Sequence, residues 1–408
     1  MNTSRFTIRY KAVHPGTDCT ELFFYDSIEQ VLQNAGNMGQ NAAASTAQNA
    51  GTSITQRRLY ITDEQVASLR PVKSFLQKQK EAGAPICIVK AGEEHKSIDS
   101  VLEIVKTALD NNLNRSSIFV GIGGGVVCDM SAFAASVFKR GALLELIPTT
   151  LLAMVDAAIG GKTGCDFGDY KNMIGSFYPA GKLHIAPEFT QSLSDTEFRS
   201  GLAEVLKTAL LYDKKLFRLL QEKKEEVLQR KAEIINHIVK ACTCAKARTV
   251  QKDLTERGIR MHLNLGHTFG HALETLAGLG TISHGEAVAW GIGRAIALSE
   301  KLELCPSSYK EEVFQVLQSY GWSCERIHPI LHTALKKAGQ AAPLAKDSPT
   351  TTADSKTQPA ADNPAEELLQ AMKKDKKNSS NIVRLILQKG IESAVIREVE
   401  DEYIRTVL

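Results

Sequence analysis

The chain has 408 residues, 43% of them hydrophobic, with 49 basic against 46 acidic side chains and a net charge of +3. That length suits two or three globular domains with real cores, and the near-balance of charge gives no reason to expect nucleic acid or a membrane surface as a partner. No apolar run approaches the roughly eighteen residues of a membrane span, MNTSRFTIRYKAV lacks the pattern of a secretory signal, and eight scattered cysteines read as reduced thiols of a cytoplasmic protein.

Segments 4–12 and 20–25 pattern as strands, and Ser27 can cap a short helix, IEQVLQNA. Residues 34–56, rich in Gln, Asn, Ala, Ser, Thr and Gly, offer little to bury and are expected to be a disordered low-complexity insert. RLYITDEQV reads as an apolar strand entering a helix at Asp63. APICIVKAGEEHKS repeats the theme, a buried strand followed by Gly92, Glu93 and Lys96 in the next turn. In SSIFVGIGGGVVCDM a strand meets a glycine cluster and a helix follows. Glycine lets a backbone approach a ligand closely, and a helix N-terminus offers N–H groups to phosphate, so a dinucleotide pyrophosphate is the natural guest. Val126 stands where the third glycine of G-x-G-x-x-G belongs, so a merely tight strand–helix turn stays open as the alternative. Strands alternating with helices to about residue 190 argue for a parallel α/β domain with ligands at the carboxyl ends of its strands.

LLELIPTTLLAMVDAAIGGKTGCDFGDYKNMIGSFY ends a strand at Pro148-Thr149-Thr150 and sets Asp156, Lys162, Lys171 and Asn172 beside glycine turns. Lysines in that setting suit anionic groups of a substrate, a solvated loop being the bland alternative. From about Pro187 the texture turns helical. FRSGLAEVLKTALLYD carries Glu204 and Lys207 three apart on one face between apolar neighbours, and KKLFRLLQEKKEEVLQRKAEIINHIVKACTCAKARTV continues as charged amphipathic helix.

RGIRMHLNLGHTFGHALETLAGLGTISHGEA holds four of the ten histidines. His267 and His271 are four apart, on one helical face and within reach of one ion or one substrate, and His284 follows a glycine break. The Glu of His-Glu-x-x-His is missing, so unrelated core or capping histidines remain the alternative. Residues 338–367 form a second low-complexity insert expected to be disordered, after which a helix end, a basic turn and a strand pair follow. The expected division is 1–187, a Rossmann-like α/β domain, and 188–408, a helical domain.

In this order, GGGVVCD, RGALLELIPTTLLAMVD, GGKTG, KNMIGSFY, GLAEVLK, GIRMHLNLGHTFGHALE, SHGEAVA and DKKN resemble the motifs of the 3-dehydroquinate synthases, across roughly Asp63 to Ile396. The resemblance implies an α/β NAD-binding domain joined to an all-α domain, one NAD and one divalent metal (Zn2+ or Co2+), and a homodimer without nucleic-acid or membrane partner. It implies metal ligands Glu204, His267 and His284, which corrects the geometric pairing of His267 with His271. NAD contacts would come from Asp63, Gly92, Glu93, Lys96, Gly124, Gly125, Val126, Asp129, Thr149, Thr150, Lys162 and Lys171. Substrate phosphate would meet Lys162, Asn172, His271 and the other subunit's Arg140; the carboxylate end would meet Lys246, Arg260 and Asn264. Lys207 and Asp156 would orient hydroxyls and water, and Lys376 or Lys377 would close over the substrate.

The implied reaction belongs to the shikimate pathway. A phosphorus–oxygen lyase takes 3-deoxy-D-arabino-heptulosonate 7-phosphate to 3-dehydroquinate and phosphate by oxidation, elimination, reduction and aldol closure, with NAD regenerated each turnover. Cys128, Ala132, Asp166 and Gln65 depart from the usual family pattern; none is one of those chemical groups. Other readings are a sugar phosphate cyclase of secondary metabolism, a polyol dehydrogenase, or a binding protein on a retired scaffold. The complete set of site groups weighs against all three.

Overall fold

A computed structural model describes residues 4–10, 18–41, 56–168, 170–278, 280–333, 363–374 and 382–408. Lys376, Lys377 and most of both expected inserts lie outside them. Residues 34–41, assigned from sequence to the first insert, instead continue helix α1 (Ile28–Asn41), and Pro364–Glu367 open a helix at the end of the second. Each helix starts at a real cap: Gln30 donates its backbone N–H to Ser27 Oγ, and Ala365 donates to the Asn363 side chain.

The chain packs as two compact units, Met1–Met261 and His262–Leu408. The first is built on a seven-stranded sheet in the order β1 (Ser4–Arg9), β2 (Cys19–Phe24), β9 (Lys182–Ile185), β6 (Leu143–Pro148), β5 (Ile118–Gly123), β3 (Arg58–Asp63), β4 (Ile86–Val89). Only β1 runs antiparallel to its neighbour; the other pairings are parallel. Central β5 is buried on both faces, as a parallel strand between helices must be. The strand read as fully buried in APICIVK is the sheet edge instead, so β4 leaves Ile88 47% exposed.

Asp63 caps α2 (Glu64–Ser68) by accepting from Val66, as the sequence predicts, and Ser97 caps α4 (Ile98–Asp110). After α3 (Arg70–Glu81) and α4, helix α5 (Gly125–Val137) starts one residue beyond β5. A Cβ on Gly121 would lie 2.7 Å from Ser131 Oγ, so glycine is what lets α5 sit directly on the strand. Residues 162–177 are not loops between glycines: β7 (Lys162–Phe167) and β8 (Tyr170–Phe177) pair as an antiparallel hairpin outside the main sheet.

Beyond β9 come α6 (Asp195–Tyr212), α7 (Lys214–Glu222), α8 (Lys224–Leu228) and α9 (Ala232–Lys252). The charged run read as one helix is therefore three, interrupted at Lys223 and at Arg230, whose φ is +55°. Ser194 and Glu197 form a reciprocal capping box that sets the start of α6. Both α6 and α9 pack on the π turn Ala153–Ala157 that follows β6. By packing, α6 to α9 fall in the first compact unit, Met1–Met261.

The second unit is mainly helical: α10 (His267–Ala277), α11 (His284–Lys301), α12 (Ser307–Ser319) and the helix Pro364–Lys373. It also contains an antiparallel hairpin, β10 (Val383–Gly390) with β11 (Ser393–Val399), the strand pair expected after the basic turn. Gly266 caps α10 at φ +80°, and a Cβ on Gly291 would lie 2.0 Å from Gly266 O. Glycine at those positions is what lets α10 and α11 touch backbone to backbone.

Candidate active site

Where β5 runs into α5, Gly124 is extended and precedes the first turn of the helix, Gly125, Val126 and Val127. A Cβ on Gly124 would come 3.0 Å from Thr150 Cγ2. Thr149 donates its backbone N–H to Gly123 O at 2.9 Å, while its buried Oγ1 has no hydrogen-bond partner among the described residues. An orphaned hydroxyl beside a glycine turn and free helix N–H groups is a chemical fit to a nucleotide phosphate. Thr150 is committed to capping the next turn through Ala153.

Lys96, buried, donates to Asp129 Oδ2 at 2.6 Å and to Asn172 Oδ1 at 2.7 Å. Burial alone would lower the ammonium; Asp129 and Glu93 outweigh it and raise its pKa. Burial raises the Asp129 carboxyl despite Lys96. Asp63, at the end of β3, is likewise raised by burial. Gly92 takes φ +114° and leads Glu93 into a short 3-10 turn. The β7–β8 hairpin is tied to this turn, because Asp166 donates its backbone N–H to Lys96 O at 2.8 Å and its carboxylate accepts from Asn172 N at 2.6 Å. Asn172 holds φ +51° there, and Lys171 stands beside it, partly buried.

Past the carboxyl end of β6, the π turn presents Asp156 to two lysines. Lys246 of α9 lies 2.8 Å from Asp156 Oδ1 and also donates to its backbone carbonyl at 2.7 Å; Lys207 of α6 lies 3.5 Å from Oδ1. Lys207 also pairs with Glu204, one turn back on α6, and both side chains are 1% exposed. A surface Glu–Lys pair is the usual meaning of that spacing; here it is core. Burial would raise the Asp156 carboxyl, but Lys207 and Lys246 hold it well below the usual range. Burial, with Arg260 and Lys207 nearby, pulls Lys246 down to about 8 despite Asp156. Lys207 is raised, because Asp156 and Glu204 outweigh its burial. Arg260 Nη1 donates to Gly160 O at 2.9 Å, and its buried Nη2 has no hydrogen-bond partner among the described residues. A guanidinium donor left over beside two lysines suits a carboxylate guest.

Of the other expected residues, Lys162 is near enough to Asp156 to help lower its carboxyl, and Arg140 lies apart. Lys162, half-exposed at the start of β7, pairs with Glu256. Arg140, exposed at φ +65°, follows the far end of α5, some 20 Å along the helix from Gly124 at 1.5 Å per residue. Sequence reasoning missed Asp166 and Glu256. Asp166 carried a faint signal, an acid six residues before Asn172 in a polar stretch between glycines; Glu256 carried none.

In the second unit the imidazoles converge. Ring centroids of His267 and His284 are 5.4 Å apart, those of His267 and His271 5.5 Å, and those of His271 and His284 6.2 Å. His267 and His284 are the first residues of α10 and α11, so the glycine-mediated contact of those helices brings them together. His267 Nδ1 lies 3.2 Å from Leu265 O. Asn264, partly buried, ends the preceding 3-10 turn. Imidazoles at helix starts, one already held through Nδ1, suit a divalent ion.

Two family models match adjoining stretches of the chain: 3-dehydroquinate synthase N-terminal over residues 86–200, and 3-dehydroquinate synthase C-terminal over 201–341. A 3-dehydroquinate synthase of Acidithiobacillus ferrooxidans is 37% identical, covering 82% of this chain and 83% of the relative. One of Rippkaea orientalis is 36% identical, covering 79% and 80%. Among solved structures, a 2-epi-5-epi-valiolone synthase of Streptomyces hygroscopicus subsp. jinggangensis with NAD+ and Zn2+ bound is 24% identical at a TM-score of 0.75, with 98% of both chains covered. A 2-deoxy-scyllo-inosose synthase complexed with carbaglucose-6-phosphate, NAD+ and Co2+ reaches a TM-score of 0.73 at 21% identity. At such identities these two establish the fold alone. The sequence matches go further, and with them the chain belongs to the 3-dehydroquinate synthase family.

Proposed function

We propose that this enzyme converts 3-deoxy-D-arabino-heptulosonate 7-phosphate to 3-dehydroquinate and phosphate, as a cytoplasmic, homodimeric phosphorus–oxygen lyase of the shikimate pathway using NAD and a divalent metal. The observation that carries the reading is the buried group of Asp156, Lys207, Lys246 and Arg260, with its leftover guanidinium donor. It supplies cations for a carboxylate and one carboxylate for hydroxyls, both of which that substrate carries.

When bound, NAD would accept and return a hydride, and a metal held by Glu204, His267 and His284 would polarise the oxygen being oxidised. The chain's own groups do the rest. Arg260, Lys246 and Asn264 hold the carboxylate. Asp156 and Lys207 orient hydroxyls and water. Lys162, Asn172, His271 and the partner subunit's Arg140 hold the phosphate until it leaves, and Lys376 or Lys377 closes the site. Asp63, Gly92, Glu93, Lys96, Gly124, Gly125, Val126, Asp129, Thr149, Thr150 and Lys171 cradle the dinucleotide.

The test is phosphate release from that substrate with catalytic NAD+, before and after chelation and zinc re-addition. Release that needs both cofactors and yields 3-dehydroquinate supports the reading. A folded protein that binds NAD and zinc, yet releases phosphate only from another sugar phosphate, overturns it. Lys162→Ala is expected to remove turnover with NAD binding intact; near-normal phosphate release would refute its assigned role.

A further inference from the structure

His267, His271 and Glu274 follow one another at i, i+4 and i+7 on α10, a single helical stripe. His267 and His271 have roles in the proposed reaction; Glu274 has none. It is nevertheless 5% exposed. A carboxylate so deeply buried is expensive unless something nearby uses it. Its Oε2 lies 3.5 Å from Nδ1 of His284. Side-chain donor and acceptor atoms of His271, Glu274 and His284 all lie within 4.8 Å of one another.

We infer that Glu274 is a positioning residue for His284. In that role its carboxylate would accept the Nδ1–H of His284 and so keep the imidazole lone pair on Nε2, the nitrogen that would then serve a metal ion. The histidine that opens α10 is treated in the same way, since His267 Nδ1 faces Leu265 O at 3.2 Å. One backbone carbonyl and one carboxylate thus set the same tautomer in two imidazoles. Carboxylate–histidine–metal arrangements fix ring orientation and raise ligand basicity, and losing the outer partner costs roughly 10–100-fold in metal affinity. Glu274 can do this because α10 and α11 meet at Gly266, Gly270 and Gly291, which brings the first residue of α11 beside the second turn of α10. The inference rests on the metal reading of these histidines.

The experiment compares the full-length protein with Glu274→Ala, Glu274→Met and Glu274→Gln. Apo forms are titrated with Zn2+ against a chromophoric chelator, and Co2+ forms are read by visible absorption. NAD titration and thermal melting of the apo forms monitor folding. Glu274→Ala should bind Zn2+ about 10–100-fold more weakly and shift the Co2+ bands. Glu274→Gln, whose amide oxygen still accepts, should stay near wild type in both. Should the alanine variant not fold, the similarly sized Glu274→Met carries the same reading. Unchanged Zn2+ affinity in folded Glu274→Ala or Glu274→Met overturns the inference. So does a Glu274→Gln variant as weak as Glu274→Ala, which would make Glu274 a ligand. A wild type that binds no Zn2+ overturns the metal reading itself.

Discussion

Strand β6 serves two buried charge clusters, one on its body and one beyond its end. On the body, Glu145 takes Arg58 of β3 at 2.8 Å and His184 of β9 at 3.4 Å, with Lys182 at 3.5 Å. Tyr25 holds the other ring nitrogen of His184 at 2.9 Å, and Phe23 stacks on the ring. Burial would raise the Glu145 carboxyl; His184 and Arg58 outweigh it and hold the group well below its usual range. Beyond the end, Asp156 faces Lys207 and Lys246, with Arg260 near enough to depress Lys246. The first cluster sits on the sheet itself: its acid is held by partners on neighbouring strands, and Arg58 Nε has no hydrogen-bond partner among the described residues. The second lies beyond the carboxyl end of β6, where Arg260 Nη2 likewise has none. Charges on the body of a sheet tie strands together, whereas charges past the carboxyl ends of parallel strands stand where such sheets take ligands.

The contrast breaks most sharply at Glu145. Glu145→Gln should cost on the order of 3–5 kcal/mol of stability, because it strands buried Arg58, yet leave turnover per folded molecule unchanged. Urea denaturation with activity measured on the folded fraction checks this. The sign with pH is fixed: the folded carboxyl lies below its ordinary 4.5, so its contribution is present above that value and fades as pH falls through the folded value. Wild type and variant should therefore converge in acid. Equal stability near neutrality would remove the claim that this cluster ties the sheet.

Asp156→Asn should act the other way, lowering turnover by roughly 100–1,000-fold, the scale of losing one preorganised electrostatic group. Phosphate release measures it, with NAD titration reporting the fold. A variant that is merely unstable, with normal turnover when folded, would make the two clusters alike.

The smallest effect sharpens the comparison through Lys246. Its folded pKa of about 8 lies below the ordinary 10.5, so the unfolded chain binds its proton more tightly. Stability from this group therefore rises with pH between those values, and its cost is fully present below about 8. Over the same range the charge that holds the carboxylate is lost, and KM should climb by up to about tenfold per pH unit. Lys246→Met should flatten both limbs. A KM profile that keeps its slope in Lys246→Met would take Lys246 out of anion binding.

Much of this was legible beforehand because it rests on local chemistry. Asp63 reads as a helix cap and is one; the glycines after β5 read as a close approach and permit one. The charged run 214–250 was not legible as three helices, because short breaks at Lys223 and around Arg230 leave no mark in periodicity. Nor was the β7–β8 hairpin, whose strands are polar and carry glycine. Glu204 and Lys207 read equally well as a surface pair, since helical spacing says which residues are neighbours but not what covers them. Glu145 and Glu274 stand inside the family motifs but nothing in their spacing marks a role, and Glu256 stands outside them; each acquires meaning only from a partner on another element or in a loop.

By itself the sequence determined residue types and their order: the apolar strands, the glycine turns, the caps, the histidine spacing and the motif series shared with a family. Those depend on covalent neighbours and on side chains within a turn of each other. Tertiary structure alone decided the burial of Glu204, Lys207 and Lys246, the meeting of Asp156 with lysines from two later helices, and the placing of α6 to α9 in one compact unit with the sheet. Burial and long-range pairing depend on which surfaces exclude water together, and no local pattern encodes that.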